Sequence, residues 1–358
     1  MPDAVAAAAW LDLVEGRRCG PLAALARAGL ATLSLPYAMA VHLRAFAYRT
    51  GLFPVHRLPV PVVSVGNLSL GGTGKTPLVA LLVRRLLERG RRPAVLTRGY
   101  GRTERGDDEA LLPEGALRVV DPARARGGRR AIERHGADVL VLDDGFQHRA
   151  LARDLDLVLV DATRPLDGAR LFPRGELREP RSALARADFV ILTRVDQASA
   201  AQLEAARAAV TRIAGKPPAE AVHEPAGLRL WPAGESEPAK RLASASVFGF
   251  CGIGNPEAFR RTLQSLGANV AGFRAFPDHH AFTEADRDRV CREAAAAGAE
   301  ALVTTAKDAL RLSDSWRGAS RPIRVLDVRL GMVRGADDLW GALERVCGAP
   351  VAAGRPGS

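Results

Sequence analysis

An α/β fold, a parallel sheet with helices on both faces, is what this sequence predicts, and three observations lead there. Short apolar runs recur along the chain and alternate with amphipathic helical patterns. The run at 62–65 empties into the glycine-dense segment G-N-L-S-L-G-G-T-G-K-T (66–76), and a helix pattern with Leu78, Leu81, Leu82 and Leu86 follows at once. The run at 138–142 ends in the paired acids Asp143 and Asp144. Strand, glycine loop and helix in that order make the core P-loop NTPase-like, and a second alternating set past residue 240 predicts a smaller C-terminal α/β domain.

At 358 residues the chain is long enough for two cores. Residues 1–56 form an apolar, helical N-terminal segment suited to a membrane interface. An uncharged stretch between Arg27 and His42 is shorter than the ~20 residues of a spanning helix, and Pro36 predicts two short helices or a kinked one. Leu22, Leu25, Ala26, Leu30 and Leu33 share a face. Arg27, Arg44 and Arg49 suit lipid headgroups, and Tyr37, Phe46 and Tyr48 suit the interface. An ordinary buried core helix is the alternative.

Residues 57–218 carry the P-loop core. After the loop, a helix runs to about Gly90, strands are expected at 93–97, 138–142, 155–160 and 189–192, and a helix at 122–135. Several prolines and weak alternation make 219–240 a linker. In the C-terminal domain, 241–348, strands are expected at 246–250, 270–273, 301–304 and 323–328, and helices at 256–266, 284–297 and 337–346. The tail 349–358 reads as flexible.

Composition narrows the partners. The chain is 47% hydrophobic and 25% charged, which is globular, and its formal net charge is +11. Aromatic residues make up 5% and no dense basic block occurs, so stacking on nucleic acid is not expected. An anionic membrane surface and an anionic substrate account for the charge better. The four cysteines are scattered with no C-x-x-C pair, so zinc and disulfides are not suggested, and reduced thiols in the cytoplasm are the default. No basic n-region or cleavage site marks a signal peptide.

The chemistry converges on the loop. Gly71, Gly72, Thr73 and Gly74 allow main-chain N–H groups to surround phosphate oxygens at a helix start. Lys75 reaches β/γ-phosphates and Thr76 offers its hydroxyl to Mg²⁺. Pro77 fits the first turn. The usual spacing wants glycine where Ser69 stands, so a chance G-K-T in a glycine turn is the bland alternative. Thr76 with Asp143 and Asp144 makes the metal set, one acid touching metal and the other supporting it. Asp108 and Glu109 follow the second strand in a loop where a carboxylate could take a proton from a hydroxyl, or simply be solvated. Pro277-Asp278-His279-His280 offers a metal ligand or base, or a polar turn. Thr193-Arg194-Val195-Asp196 loosely matches the base-recognition N-K-x-D of GTPases, which keeps a GTP-hydrolysing switch or metallochaperone as the alternative function. A soluble small-molecule kinase is a further one.

Together these strings resemble the tetraacyldisaccharide 4′-kinase family of lipid A biosynthesis. The resemblance runs from Arg57-Leu58-Pro59 through Gly66-Asn67-Leu68-Ser69 to Pro77, and includes Arg98-Gly99-Tyr100-Gly101. It continues at Asp143-Asp144-Gly145-Phe146-Gln147-His148-Arg149, Leu177-Arg178-Glu179-Pro180, Phe276-Pro277-Asp278-His279 and Thr305-Ala306-Lys307-Asp308. Ser or Thr at the place of the first glycine is itself a habit of that family. The resemblance implies a peripheral enzyme on the cytoplasmic face of the inner membrane, with ATP and Mg²⁺ as cofactors and a lipid A disaccharide precursor, a glycolipid, as substrate. It also implies Asp108 as the base, assisted by His279, and a C-terminal domain that closes over the nucleotide. The loop reads G-D-D-E where the family has G-D-E, so Asp107 competes with Asp108.

Overall fold

The computed structural model describes residues 9–99, 112–234, 236–278 and 280–348. Asp107, Asp108 and His279 lie outside them. The chain divides into two units. The first contains residues 1–100, 112–222 and 332–358, and the second 101–111 and 223–331.

In the first unit, helix α1 (Pro21–Arg49) precedes strand β1 (Val62–Asn67), helix α2 (Lys75–Glu88) and strand β2 (Pro93–Thr97). Then come β3 (Leu117–Val120), α3 (Arg124–His135), β4 (Val139–Asp143), β5 (Leu155–Asp161), β6 (Phe189–Thr193), α4 (Ala200–Ala214) and the start of β7 (Ala219–Leu230). The strands stand in the order β3-β2-β4-β1-β5-β6-β7. All these neighbours pair in parallel. The expected strands at 93–97, 138–142, 155–160 and 189–192 are thus present within a residue or so at each end.

Parallel pairing buries both faces, which is why these strands read as continuous Val/Leu/Ile runs. Leu58, Val62, Leu96, Val119, Ala131, Leu140 and Leu142 form one core cluster. Phe146, Val158, Val160, Leu184, Val190, Leu192 and Val210 form another. Helix α2 buries Leu78, Leu82 and Leu86 at the spacing of one helical face. Because every strand runs the same way, Asn67, Thr97, Asp143, Asp161 and Thr193 all end at one edge of the sheet. That edge is where ligands of open α/β sheets sit.

Three expectations change. Residues 219–230 are strand rather than linker: Ala219, Glu220 and Ala221 pair with Ile191, Leu192 and Thr193, and sheet hydrogen bonding outweighs the weak local pattern. The last helix, α5 (Ala336–Cys347), belongs to the first unit, where Glu344 pairs with Arg89 and Trp340 lies under Arg85. Pro36 does not split α1, which runs unbroken for 29 residues. Tertiary bonds hold it on both sides of the proline: Ser34 Oγ donates to the Leu171 carbonyl at 3.3 Å and Tyr37 Oη to the Arg178 carbonyl at 2.9 Å.

Helix α1 has a mean hydropathy of 1.3 over its most apolar window, and none of that window is buried. Leu22, Leu25, Leu33, Leu35, Met39, Leu43 and Phe46 are exposed. It is not the buried core helix that the sequence left open. Two of the groups expected at the headgroups and interface also bond to the protein: Tyr37 as above, and Arg44, which stays exposed while its Nη2 donates to the Gln147 carbonyl at 2.8 Å.

In the second unit, strands β8 (Ser246–Cys251), β9 (Asn269–Ala275), β10 (Ala301–Thr305) and β11 (Ile323–Arg334, its last residues in the first unit) stand in the order β9-β8-β10-β11, followed by the second half of β7. Helices Pro256–Ser265 and Glu284–Ala296 cover them. In its core Phe250 stacks on Trp316, and Phe282 meets both rings edge to face. The cysteines form no disulfide.

Candidate functional site

The phosphate-loop segment leaves β1 at Asn67 and enters α2 at Lys75. Ser69, the residue that departs from the usual spacing, forms an antiparallel bridge with Leu177. Its backbone is therefore extended, and a side chain costs nothing there. The left-handed positions fall later, at Gly71 (φ 104°) and Gly74 (φ 93°), where glycine is required. Gly74 begins α2 and no side chain caps it. The first N–H groups of the helix are thus left for an anion.

The paired acids arrive beside the loop through a close backbone approach. The Gly145 N–H donates to the Val65 carbonyl at 2.9 Å. A Cβ on Gly66 would stand 2.5 Å from Phe146 Cβ, so only glycine lets the two segments meet. Gln147 Nε2 donates to the Asn67 carbonyl at 2.9 Å, and Asn67 Nδ2 to the Gly71 carbonyl at 3.3 Å. The strings G-N-L-S and D-D-G-F-Q are one packed unit.

Asp144 adopts φ 57° and lies between two cations. Lys75 Nζ is 3.4 Å from its Oδ1, and Arg178 donates to its Oδ2 at 2.8 Å. Burial pushes the Asp144 carboxyl up, but Lys75 and Arg178 outweigh it and hold it below the usual carboxylate range. It is ionised at neutral pH. Arg178 reaches it because residues 176–178 pair with the start of the loop: Leu70 N–H donates to the Glu176 carbonyl at 2.8 Å and Arg178 N–H to the Leu68 carbonyl at 2.7 Å. Sequence reasoning gave Arg178 no role, and its only signal was the L-R-E-P string. Asp143 ends β4 half-buried, and Arg124 donates to its carbonyl at 3.4 Å.

The donor set fits a hard cation. Asn67 Oδ1, Gln147 Oε1 and Thr73 Oγ1 are buried and make no hydrogen bond among the described residues. Thr76 in the first turn of α2 and Asp143 and Asp144 at the end of β4 supply oxygen donors of the kind Mg²⁺ takes. No three His, Cys, Asp or Glu side chains converge among the described residues.

Thr193 and Arg194 take a place that the sequence did not foresee. Both are buried, and both turn onto the phosphate loop. Thr193 Oγ1 donates to the Thr73 carbonyl at 3.1 Å, and Arg194 Nη2 to the Gly72 carbonyl at 2.6 Å. Side chains spent in this way do not read a nucleotide base.

His148 is half-buried and faces Arg124, Arg153, Arg44 and Arg98. Burial, and then those cations, push its pKa from 6.5 down to about 4. In the second unit, His280 Nε2 lies 3.0 Å from Asp286 Oδ2 and its ring stacks on Phe276. Of the two expected histidines, this one is engaged in local packing.

The model of the family described as LpxK, tetraacyldisaccharide-1-P 4′-kinase, matches residues 26–347. A tetraacyldisaccharide 4′-kinase of Anaeromyxobacter dehalogenans (strain 2CP-C) is 45% identical over 348 residues, 91% of this chain and 92% of its own length. The one from Geobacter metallireducens is 41% identical over 305 residues, covering 79% of this chain and 88% of its own. A crystal structure of LpxK from Aquifex aeolicus in complex with ATP aligns with a TM-score of 0.68 at 31% identity, over 90% of this chain and 99% of that one.

Proposed function

The chain belongs to the tetraacyldisaccharide-1-P 4′-kinase family, enzymes of lipid A biosynthesis, and from that premise we propose that it moves the γ-phosphate of ATP to the 4′-hydroxyl of a tetraacyldisaccharide 1-phosphate at the cytoplasmic face of the inner membrane. The observation that carries this reading is the grouping of Lys75, Asp144 and Arg178 at the uncapped start of α2.

Gly71, Gly72, Thr73 and Gly74 turn their amides to the phosphates, and Lys75 neutralises charge that develops on the transferred group. Phosphoryl transfer needs little else from a protein than position and field. Thr76, Asp143 and Asp144 are the residues that would hold Mg²⁺, which would supply charge neutralisation at the β- and γ-oxygens. Asp108 takes the proton of the sugar hydroxyl and His279 assists it, with Asp107 as the competing base. The ATP-bound Aquifex aeolicus relative supports ATP as the donor.

The exposed leucines of α1 suit a helix lying in the headgroup region, where the acyl chains of the acceptor remain in the bilayer. The test is transfer from radiolabelled ATP to the disaccharide 1-phosphate with the products separated by thin-layer chromatography. A folded, ATP-binding protein that leaves the glycolipid unlabelled would refute the substrate, and preference for GTP without an acceptor would favour the switch.

A further inference from the structure

The carbonyls of Gly72 and Thr73 are held by two consecutive residues from the end of β6. For loop amides to converge on an anion, the carbonyls of the same peptides must point away and find donors elsewhere. Arg194 Nη2 serves the Gly72 carbonyl at 2.6 Å, and Thr193 Oγ1 serves the Thr73 carbonyl at 3.1 Å. Arg194 is itself fixed: Nη1 donates to Asp161 Oδ2 at 2.5 Å, and its side chain is only 8% exposed. Asp161 ends β5, and its Oδ1 accepts from the Thr163 N–H at 3.0 Å and the Thr163 hydroxyl at 2.7 Å. Burial pushes the Asp161 carboxyl up, but Arg194 and the Thr163 bonds bring it below its usual range, so the pair is ionic. The left-handed φ of 57° at Arg194 is uncommon for a side chain of this size and turns the chain just past the strand.

We infer that Arg194 and Thr193 are positioning residues that brace the phosphate loop in its anion-receiving shape, with Asp161 as the anchor. The inference rests on the phosphate-loop reading above and adds a determinant of ATP affinity that lies outside the loop. A planar guanidinium bridges a carboxylate and a carbonyl at once, whereas an ammonium group on a lysine stem does not reproduce that fork.

Steady-state kinetics of Arg194→Lys and Thr193→Val, with ATP and glycolipid varied separately, test it. Neither variant leaves Asp161 without a cation, so both are expected to fold. Arg194→Lys should raise KM for ATP about tenfold and Thr193→Val about threefold to fivefold, from one charged and one neutral hydrogen bond lost to the loop. KM for the glycolipid should not move. If KM for ATP stays within about twofold of the parent in both variants, the brace is overturned, whatever happens to the melting temperature, because a lost structural contact lowers stability without changing KM. Lys75→Ala run beside them separates the two levels. Normal turnover in that variant sinks the phosphate-loop reading itself, whereas an inactive Lys75→Ala with unchanged KM in the other two sinks only the brace.

Discussion

Lys75 Nζ stands 3.4 Å from Asp144 Oδ1 while Arg178 holds Oδ2 of the same carboxylate at 2.8 Å. The lysine therefore has a partner when no phosphate is near, and the carboxylate keeps a second cation when the lysine turns to a phosphate. A buried charge left alone is costly, so this arrangement lets Lys75 change partners without stranding Asp144.

Lys75→Ala should lower turnover about a hundredfold or more, the scale found when one preorganised donor to a transition-state charge is removed. Asp144 keeps Arg178, so the melting temperature should move little. Kinase assay and thermal unfolding on the same preparation check both halves.

Arg178→Ala leaves Asp144 its ion pair with Lys75 and takes away the guanidinium. The lysine should then be held back from phosphate, and KM for ATP should rise about threefold to tenfold, the effect of redirecting one charge-assisted bond. Arg178→Lys should recover part of the loss. Equal kinetics in Arg178→Ala and the parent would remove Arg178 from the site.

Asp108→Ala should slow transfer about a hundredfold or more while equilibrium ATP binding persists, because general-base catalysis contributes on that scale. If Asp107→Ala alone has that effect, the base is one residue earlier.

The half-buried His148 and the buried Asp308 give stability opposite slopes against pH. His148 is pushed down to about 4 in the folded chain, so below pH 6.5 the unfolded chain binds the extra proton. Its contribution is whole above pH 6.5 and drains as pH falls toward 4. Burial raises Asp308 to about 6, so here the folded chain binds the extra proton, and stability is regained as pH falls from about 6 toward 3.8. Thermal unfolding at pH 7, 5.5 and 4 should show His148→Gln losing less than the parent on acidification. Asp308→Asn should be most stabilised relative to the parent at pH 7. Parallel profiles would refute the assignments.

Leu25→Ser, Leu33→Ser and Met39→Ser together should weaken flotation with anionic vesicles more than about tenfold, since burying each apolar side chain contributes about 1.5–3 kcal/mol. These side chains are exposed, so stability in detergent-free buffer should hold. Unchanged flotation would refute the interfacial role of α1.

Much of this was legible in the chain. The run ahead of Gly66 and the pattern after Thr76 are local signals, and β1, the loop and α2 form where they predict. Residues 93–97 and 189–192 are strands at those places because buried parallel strands announce themselves by unbroken β-branched and aliphatic runs. The serine at 69 departs from the usual spacing, and its bridge to Leu177 gives the extended backbone that makes glycine unnecessary there. Residues 219–230 hid because a strand entering a formed sheet needs partners more than pattern.

The order of residues alone determined the phosphate loop, its lysine and the acids at the end of β4, since each is written within one strand, one turn and one helix. Only the tertiary structure decided who holds them. Arg178 reaches Asp144 across 34 positions, and Arg194 reaches Gly72 across 122. Such pairings follow from which strands lie side by side at the sheet's edge, and that adjacency is settled by packing of the whole sheet rather than by any local run of side chains.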